Sequence, residues 1–528
     1  MKLSTIIIIT TFFYLTNSFS QSFNYLHYNN VKARLTTNGV FFNDKSTGNA
    51  DYTVPANQDA SVIYASAFWF GGLDGFNNLH LSATKYGTNQ DLFCGPIAAN
   101  YTDATYLSKF FENSWSIDYD DIDTHLQNYN TVGYVVPSEI EDWPAHGNTA
   151  NGEGSNLAPF IDVNHNGIYD PLNGDYPNIR GHRAVYLIFN DAAGVHSESG
   201  GEALGMEFHF MFYQYAANDD MNNTTFINLK VINRSPRTYT NFKVGQFTDG
   251  DLGNYSDDYF GSSPEKKMIY TYNGDAVDES LNQNFPNGFE QTPPAVGIKL
   301  LNHQMDVSGY FTSGVTANQS DPTTAGAYWG FMNAEWGSSG QHFTEGGTGI
   351  GGTVNTNYLM SSNPNDATGW SEQTELAIPG DRRMFMASEG VMISPNEYIC
   401  YDYAVVYARA ANNLISVDSL YVVADYVQAF YDAQSLYTCE SVVLGVNEKP
   451  ELSVINIYPN PNNGQFSIQG LKKGAQIYFY SIDGKLLEVI NSTQESELAI
   501  DFSKYHKGNY LIKIIQNDEV LMKKIIIK

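Results

Sequence analysis

The sequence predicts a mainly β protein, with a large β-rich body followed by a small C-terminal β-sandwich. Two observations lead to this prediction. Aromatic residues make up 14% of the 528 residues and charged residues only 16%, as is typical of buried sheets. Short apolar or alternating runs also recur along the whole chain, and they are separated by turns rich in glycine, proline and asparagine.

Residues 1–20 fit a signal peptide. Lys2 supplies the positive charge, Leu3–Leu15 is the apolar run, and small serines precede Gln21 at the cleavage positions. The alternative is a membrane anchor, but the run is shorter than the ~20 apolar residues that a spanning helix needs. We therefore expect an exported chain with no transmembrane segment after cleavage.

The body, residues 21–440, is larger than one hydrophobic core usually serves, so we expect one or two β-sandwich-like lobes with a few helices. In one run, Phe208, Phe210 and Phe212 stand at every second position, which is the period of a strand. The predicted strands of the body are Val31–Leu35, Val40–Phe42, Ser61–Phe70, Leu79–Thr84, Val185–Asn190, Met206–Tyr215 and Thr225–Asn233.

Three helices are predicted in the body. Asp118–Tyr129 has apolar residues on one face, and Ser138–Glu141 matches a capping box that Pro144 follows. Ser416–Gln434 carries the longest apolar stripe, and we expect this stripe to pack across a sheet rather than to form a partner groove. The residues of the stripe are Leu420, Val423, Ala424, Val427, Phe430 and Tyr431.

Charge and cysteine content restrict the function further. Residues 21–446 carry 48 acidic and 17 basic side chains, which disfavours nucleic acid and anionic lipid as partners and suits cation binding or solubility.

The three cysteines Cys94, Cys400 and Cys439 cannot all pair within the chain. Buried free thiols are expected, with one disulfide or a catalytic cysteine as alternatives.

The segment from Asp162 to Asp170, DVNHNGIYD, has the pattern of a calcium loop. Oxygen-bearing side chains stand at positions 1, 3, 5 and 9, glycine at position 6 permits a sharp turn, and a backbone carbonyl is available at position 7. Position 12 is Asn173 and prolines flank the loop, so an EF-hand is not expected. The pattern resembles the compact calcium loops of dockerins and thrombospondin-type repeats. The predicted calcium ligands are Asp162, Asn164, Asn166, Ile168, Asp170 and Asp175.

The alternative to a calcium site is an asparagine- and glycine-rich turn whose side chains cap their own backbone. A second acidic cluster, formed by Asp249, Asp251, Asp257 and Asp258, is a candidate second cation site. Two other interpretations of this cluster remain open: a solvated loop, or a carboxylate pair for acid–base catalysis. No HExxH, Walker or GxSxG motif is present, so we assign no catalytic residue.

The tail, residues 453–528, is expected to form an immunoglobulin-like sandwich of seven strands, with an ordinary accessory β-domain as the alternative. Prolines and Asn462-Asn463-Gly464 break the first pair of strands, and Asp483-Gly484 is a two-residue hairpin signal. The predicted strands are Val454–Tyr458, Gln465–Gln469, Ala475–Ser481, Lys485–Ile490, Glu497–Phe502, Asn509–Gln516 and Val520–Ile527.

The motifs of the tail resemble the C-terminal sorting domain, type A, of the type IX secretion system of Bacteroidota. The resemblance implies export across the outer membrane, a contact with the secretion machinery, and release or attachment at the cell surface, with residues 441–452 as the linker. The residues that carry it are Pro459, Asn460, Pro461, Gly464, Asp483, Gly484, Lys485, Gly508, Tyr510, Lys523 and Lys524.

Segments of the body also resemble a recurring group of large exported proteins of Bacteroidota. Among them are WFGGLDGFNNLHLSA from Trp69, APFIDVNHNGIYDPLNGDYPNIRG from Ala158 and GDRRMFMASEG from Gly380. This resemblance implies a β-rich surface or secreted protein and adds no mechanism. We therefore expect a calcium-stabilised, non-catalytic protein that binds or adheres to extracellular ligands. The alternatives are a secreted hydrolase of polysaccharide or protein that uses the carboxylates near 249–258, and a structural component of an extracellular layer.

Overall fold

The structure is a computed structural model, and it shows a mainly β chain, as the sequence predicts. It describes residues 22–111, 113–281, 287–312, 319–434, 455–481, 486–492, 496–516 and 519–528. The expected signal peptide, residues 1–20, and the expected linker, residues 441–452, lie outside the described residues.

In chain order, the strands of the described body are β1 (Phe23–Leu26), β2 (Lys32–Thr36), β3 (Asn43–Asp44), β4 (Asn49–Ala50), β5 (Tyr52–Thr53), β6 (Ala65–Leu73), β7 (Leu79–Ala83), β8 (Phe93–Cys94), β9 (Trp115–Asp118), β10 (Phe160–Ile161), β11 (Tyr176–Pro177), β12 (Arg183–Asn190), β13 (Met206–Gln214), β14 (Thr225–Asn233), β15 (Tyr239–Asp249), β16 (Asp258–Ser263), β17 (Met268–Asn273), β18 (Val277–Asp278), β19 (Glu290–Gln291), β20 (Ala295–Leu300), β21 (Met305–Phe311), β22 (Arg383–Ser388), β23 (Val391–Ile393) and β24 (Tyr398–Ala408). The α-helices are α1 (Ala104–Tyr106), α2 (Tyr119–Asn128), α3 (Ser138–Glu141), α4 (Ala325–Phe331) and α5 (Asn413–Ala433).

Two antiparallel sheets dominate the described part of the body. The larger one has the strand order β16-β17-β20-β24-β14-β13-β12-β8, and β9 also pairs with β12. The smaller one has the order β21-β22-β15-β6-β7, and β23 also pairs with β15. The two sheets face each other across the main hydrophobic core, so the body is a β-sandwich.

Aromatic rings from the two sheets meet in this core. Phe70 of the smaller sheet stacks on Phe208 of the larger one with ring centroids 3.9 Å apart, and Phe68 lies 5.2 Å from Phe210. The alternating phenylalanines of β13 therefore all face the smaller sheet, as their spacing predicts. Each such ring buries a large apolar surface, so these contacts supply much of the stability of the sandwich.

A second core covers the opposite face of the larger sheet. Helix α5 lies against this face with Leu420, Val423, Ala424 and Val427 buried, as expected for packing across a sheet. The helix begins three residues before the predicted start, because the side chain of Asn412 accepts a hydrogen bond from the Ile415 N–H group and caps the first turn. Both faces of the larger sheet are thus covered.

Two local predictions are wrong. Val40–Phe42 is not a strand: Phe42 has a φ of 70°, which a strand does not accommodate, and Phe41 forms only a single bridge to Ser66. The helix over Ser138–Glu141 is present, but it has no capping box. Its N-cap position is Pro137, and the Ser138 hydroxyl bonds the Glu139 carboxylate instead of a backbone N–H group.

The cysteines differ from one another. Cys94 is a free thiol, as expected, and burial raises its pKa to about 12. Cys400 is disulfide-bonded, so the expectation of a free thiol is wrong at this position and the single-disulfide alternative is correct. Cys439 lies outside the described residues.

The described part of the tail forms the expected seven-stranded sandwich around its own core. One sheet has the order β25-β26-β29 and the other has the order β28-β27-β30-β31, which is an immunoglobulin-like arrangement. The strands are β25 (Asn456–Tyr458), β26 (Gln465–Leu471), β27 (Gln476–Ser481), β28 (Leu486–Asn491), β29 (Ser496–Asp501), β30 (Gly508–Gln516) and β31 (Glu519–Ile527). Across the residues described in body and tail, no helix is long and apolar enough to cross a membrane.

We predict that Phe210→Ala lowers the free energy of unfolding of the body by about 3–5 kcal/mol, because it leaves a cavity between the two sheets. Urea titrations followed by tryptophan fluorescence measure this, since all six tryptophans lie in the body. Phe76→Ala is the matched control. The Phe76 side chain is 88% exposed, and its removal should change the free energy by less than about 0.5 kcal/mol. Equal losses in the two variants would contradict the assigned core.

Candidate functional site

The predicted calcium loop, residues 162–175, closes on itself through Asp162. This buried side chain accepts hydrogen bonds from the N–H groups of Asn166 and Gly167, at 3.2 and 2.7 Å. Gly167 has a φ of 77°, so it provides the sharp turn that the sequence predicts. The loop therefore folds so that the side chain at its first position contacts the backbone at its fifth and sixth positions.

Asp170 is the centre of the loop. Its carboxylate accepts hydrogen bonds from the side-chain amides of Asn164, Asn166 and Asn173, at 3.1, 3.0 and 2.8 Å. These donors, with Asn173 foremost, hold the pKa of Asp170 below its usual value. A negative charge is thus surrounded by side chains that also carry amide oxygens, which are calcium ligands.

Asp175 lies on the inner side of the same loop. It accepts hydrogen bonds from the N–H groups of Val163 and Asp170, at 2.8 and 2.9 Å, and burial raises its pKa. The Ile168 side chain is 60% exposed, so this residue offers only its backbone to a ligand. The structure thus gathers the predicted ligands into one loop, although the three carboxylates of the loop do not meet within 4.8 Å of one another.

Tyr169 connects the loop to the helix α3. Its hydroxyl donates a hydrogen bond to the Ile140 carbonyl at 2.6 Å, and its backbone N–H group donates to Nε2 of His146 at 3.1 Å. The His146 carbonyl in turn accepts a hydrogen bond from Lys109 at 2.9 Å. The position of α3 therefore depends on the conformation of the loop.

An open groove of about 690 Å³ lies beside α3. Hydroxyl, amide, ammonium and carboxylate groups line it together with two indole rings, which is the chemistry that hydrogen-bonds polar ligands. The lining includes Asn24, Lys109, Trp115, Ser116, Glu139 and Glu141. Sequence reasoning missed this groove, because its residues come from three separate segments of the chain.

The second acidic cluster contains a residue that the sequence did not indicate. Asp249, Asp251 and Asp381 each place a carboxylate oxygen within 4.8 Å of the other two. Tyr86 donates a hydrogen bond to Oδ2 of Asp249 at 2.6 Å, and Arg383 donates one to Oδ2 of Asp381 at 2.8 Å. Asp381 enters the cluster because β22, which it precedes, pairs with β15, which ends at Asp249.

Burial and mutual repulsion perturb these three carboxyl groups. Burial, followed by the neighbouring Asp381 carboxylate, raises the pKa of Asp249 to about 7. Burial and the charge of Asp249 raise the pKa of Asp251 well above its usual value, and burial raises that of Asp381. Three carboxylates that share one point cannot all ionise without a compensating charge.

Asp257 and Asp258 lie outside this group of three. Oδ2 of Asp258 accepts a hydrogen bond from the Leu252 N–H group at 2.9 Å, which fixes the loop between β15 and β16. Burial, followed by the charge of Asp278, raises the pKa of Asp257 to about 7. Of the four residues in the predicted second cation site, the structure therefore brings only Asp249 and Asp251 together.

The first sorting-motif residues of the tail, from Pro459 to Gly464, form a loop that is held against the last strand. The side chain of Asn460 donates a hydrogen bond to the Lys524 carbonyl at 2.7 Å and accepts one from the Ile526 N–H group at 2.9 Å. Gly464 has a φ of 96°, and a Cβ atom there would lie 2.8 Å from Cα of Ser503, so only glycine fits. Pro459 and Pro461 lie in the same loop, Gly508 and Tyr510 in β30, and Lys523 and Lys524 in β31. Asp483, Gly484 and Lys485 lie outside the described residues.

Comparison with known proteins identifies the tail. Residues 456–528 match the family described as the secretion system C-terminal sorting domain. The tail is therefore a C-terminal sorting domain of the type IX secretion system, which implies an exported protein of Bacteroidota that is secreted or displayed at the cell surface. A search of curated proteins finds no match to the chain.

Two solved structures show distant likenesses. A polysaccharide lyase shares 6% sequence identity over 60% of this chain and 34% of its own, with a TM-score of 0.19. The match thus spans about a third of the lyase. A putative aldose 1-epimerase from Escherichia coli K12 shares 8% identity over 74% of this chain and 100% of its own, with a TM-score of 0.26. At these TM-scores neither structure supports an inference about fold or activity.

The raised pKa of Asp257 predicts a pH-dependent stability in the presence of a chelator. In the folded protein the Asp257 carboxyl group stays protonated up to about pH 7, whereas the usual pKa of an aspartate is 3.8. Ionisation of Asp257 therefore costs stability as the pH rises through about 7, and Asp257→Asn removes the cost. We expect the variant to gain on the order of 1 kcal/mol over the wild type between pH 4 and pH 8 in urea titrations. Asp59→Asn, at an exposed position, should show no such trend.

Proposed function

We propose that this secreted protein is a non-catalytic binding or adhesion protein of the extracellular space, and that calcium stabilises it. Export rests on the sorting domain. The binding role rests on one observation, the groove beside α3. On this proposal the chain passes through the periplasm and then acts at the cell surface or in the medium.

The groove favours an extended polar ligand such as a glycan. It is open, and its lining combines hydrogen-bond donors such as Lys109 with acceptors such as Glu139 and Glu141. Trp115 and Trp143 are mostly buried, so their rings form the wall of the groove and not an exposed stacking platform. A polyhydroxylated ligand would satisfy such a lining with many individually weak hydrogen bonds.

Calcium would act through the loop at 162–175. A carboxylate oxygen that accepts one hydrogen bond keeps a second lone pair, so Asp162 and Asp175 can bind a cation without releasing the backbone. At Asp170 the cation would replace the amide N–H groups, and the oxygens of Asn164 and Asn166 would turn toward it. Because Tyr169 ties this loop to α3, calcium would also fix one wall of the groove.

We predict that calcium raises the stability of the wild-type protein and that Asp162→Ala removes the part of this effect that comes from the loop at 162–175. A calcium concentration of 10 mM is ~10–100 times the dissociation constant of a typical extracellular site. Binding at that concentration raises the free energy of unfolding by about 1.4–2.7 kcal/mol. Thermal unfolding with calcium and with chelator measures the difference. Asp59→Ala, an exposed acidic position outside the loop, should keep the full calcium effect. An identical melt of the wild-type protein in calcium and in chelator would disprove the site.

We also predict calcium-dependent retention of the mature chain on an insoluble polysaccharide or matrix protein, without release of fragments. A panel of such solids is incubated with protein in calcium or chelator, and bound protein and soluble fragments are scored together. Glu141→Ala should lower retention in calcium, whereas Asp59→Ala should not. Tyr169→Phe, which removes only the hydrogen bond to α3, should weaken retention while calcium still stabilises the protein.

Release of fragments would contradict this proposal. Fragments that disappear with Asp249→Asn or Asp251→Asn would instead support the secreted-hydrolase alternative, with the buried carboxylates as its acid and base.

A further inference from the structure

The group formed by Asp249, Asp251 and Asp381 has the features of a second cation site, at a position remote in sequence from the loop at 162–175. Asp249 is only 3% exposed, yet its Oδ1 atom has no hydrogen-bond donor. Oδ1 of Asp381 is likewise buried and without a donor. A buried, unpartnered carboxylate oxygen is costly, so two of them beside a third carboxylate point to a missing positive ligand.

The two oxygens of each carboxylate have different surroundings. Oδ2 of Asp249 accepts a hydrogen bond from the Tyr86 hydroxyl, and Oδ2 of Asp381 accepts one from a guanidinium N–H group of Arg383. The protein therefore orients both side chains through their Oδ2 atoms, and their buried Oδ1 atoms accept no hydrogen bond. Such outer hydrogen bonds are what hold metal-binding carboxylates in position.

The local charge is not balanced by the protein. Arg383 is the cation in contact with the cluster, with its Nε atom 3.6 Å from Oδ2 of Asp249, but it also pairs with Asp321 at 2.9 Å. Four carboxylates thus share one guanidinium. Lys85 lies 3.8 Å from Asp321 and 3.4 Å from Glu198, so it adds a positive charge but also brings a fifth carboxylate.

We propose that Asp249, Asp251 and Asp381 bind one divalent cation, and that this cation is calcium. Hard divalent cations prefer carboxylate oxygens. Calcium accepts flexible sets of six to eight oxygens, whereas magnesium demands near-ideal octahedral geometry, so three carboxylates from separate parts of the chain suit calcium.

The cation joins the end of one strand to the start of another. Asp249 is the last residue of β15, and Asp381 comes just before β22, which pairs with β15 so that Asp249 faces Arg383. The residue between Asp249 and Asp251 packs closely against β17, because a Cβ atom on Gly250 would lie 2.2 Å from Oγ1 of Thr271. The site therefore fixes one end of the smaller sheet. This inference does not depend on the groove or on the loop at 162–175.

The test is isothermal titration of calcium chloride into the mature full-length chain that carries Asp162→Ala, so that the loop at 162–175 does not contribute. We expect one calcium site to remain. Asp249→Asn and Asp381→Asn, each in that background, should raise its dissociation constant at least tenfold. Asp257→Asn is the matched control: it neutralises a nearby carboxylate outside the group and should leave the dissociation constant unchanged.

Three results would overturn the proposal: no calcium binding to the Asp162→Ala protein, unchanged binding in both Asp249→Asn and Asp381→Asn, or an equal loss in Asp257→Asn. Tryptophan fluorescence in chelator checks that each variant is folded. Asp381 is only partly buried, so its variant keeps the test valid if Asp249→Asn does not fold. A failure here leaves the proposal for the loop intact, because the loop is tested separately by the difference in calcium effect between the wild type and Asp162→Ala.

Discussion

The covering of both faces of the larger sheet is the constraint on which the rest of the body depends. The smaller sheet covers one face and α5 the other, so interior positions of the strands have no access to water. One polar group that remains inside is His209 of β13, which contacts Glu207 at 3.2 Å and the Tyr186 hydroxyl at 2.9 Å.

This constraint also explains which parts of the fold could be predicted from the sequence. The seven strands of the tail were predictable, because each run is short, alternates apolar with polar residues and is bounded by turn residues. In the body, β13 and β14 were recognised from their apolar runs, but β15, β17, β20 and β24 were not. Strands buried on both faces lose the alternation that identifies a strand. Phe42 shows a further limit, since its positive φ is imposed by tertiary packing.

The candidate sites also differ in how far they could be predicted from the sequence. The ligands of the loop at 162–175 follow one another in the chain, so their spacing alone indicated them. Asp381 could not be found by spacing, because it reaches Asp249 only through the pairing of β22 with β15. Its one local signal is an acidic residue next to two arginines at the start of a buried strand. The groove beside α3 had no local signal, since it is formed by segments that meet only in the folded body.

The residues of the loop at 162–175 are close together in the sequence, whereas Asp249 and Asp381 are far apart. This difference would also set the stage of folding at which each site could bind a cation. The loop at 162–175 needs only a short stretch of chain to close, so its loss of entropy on closure is small and it can bind before the sheets assemble. The ligands at Asp249 and Asp381 come together only after a long-range strand pairing, which is a late and slow event in folding. On the proposal made above, a cation there would stabilise the assembled sandwich and none of its precursors. It would therefore slow unfolding more than it speeds folding, and in the extracellular space, where no chaperone refolds an opened chain, the unfolding rate decides how long the protein survives.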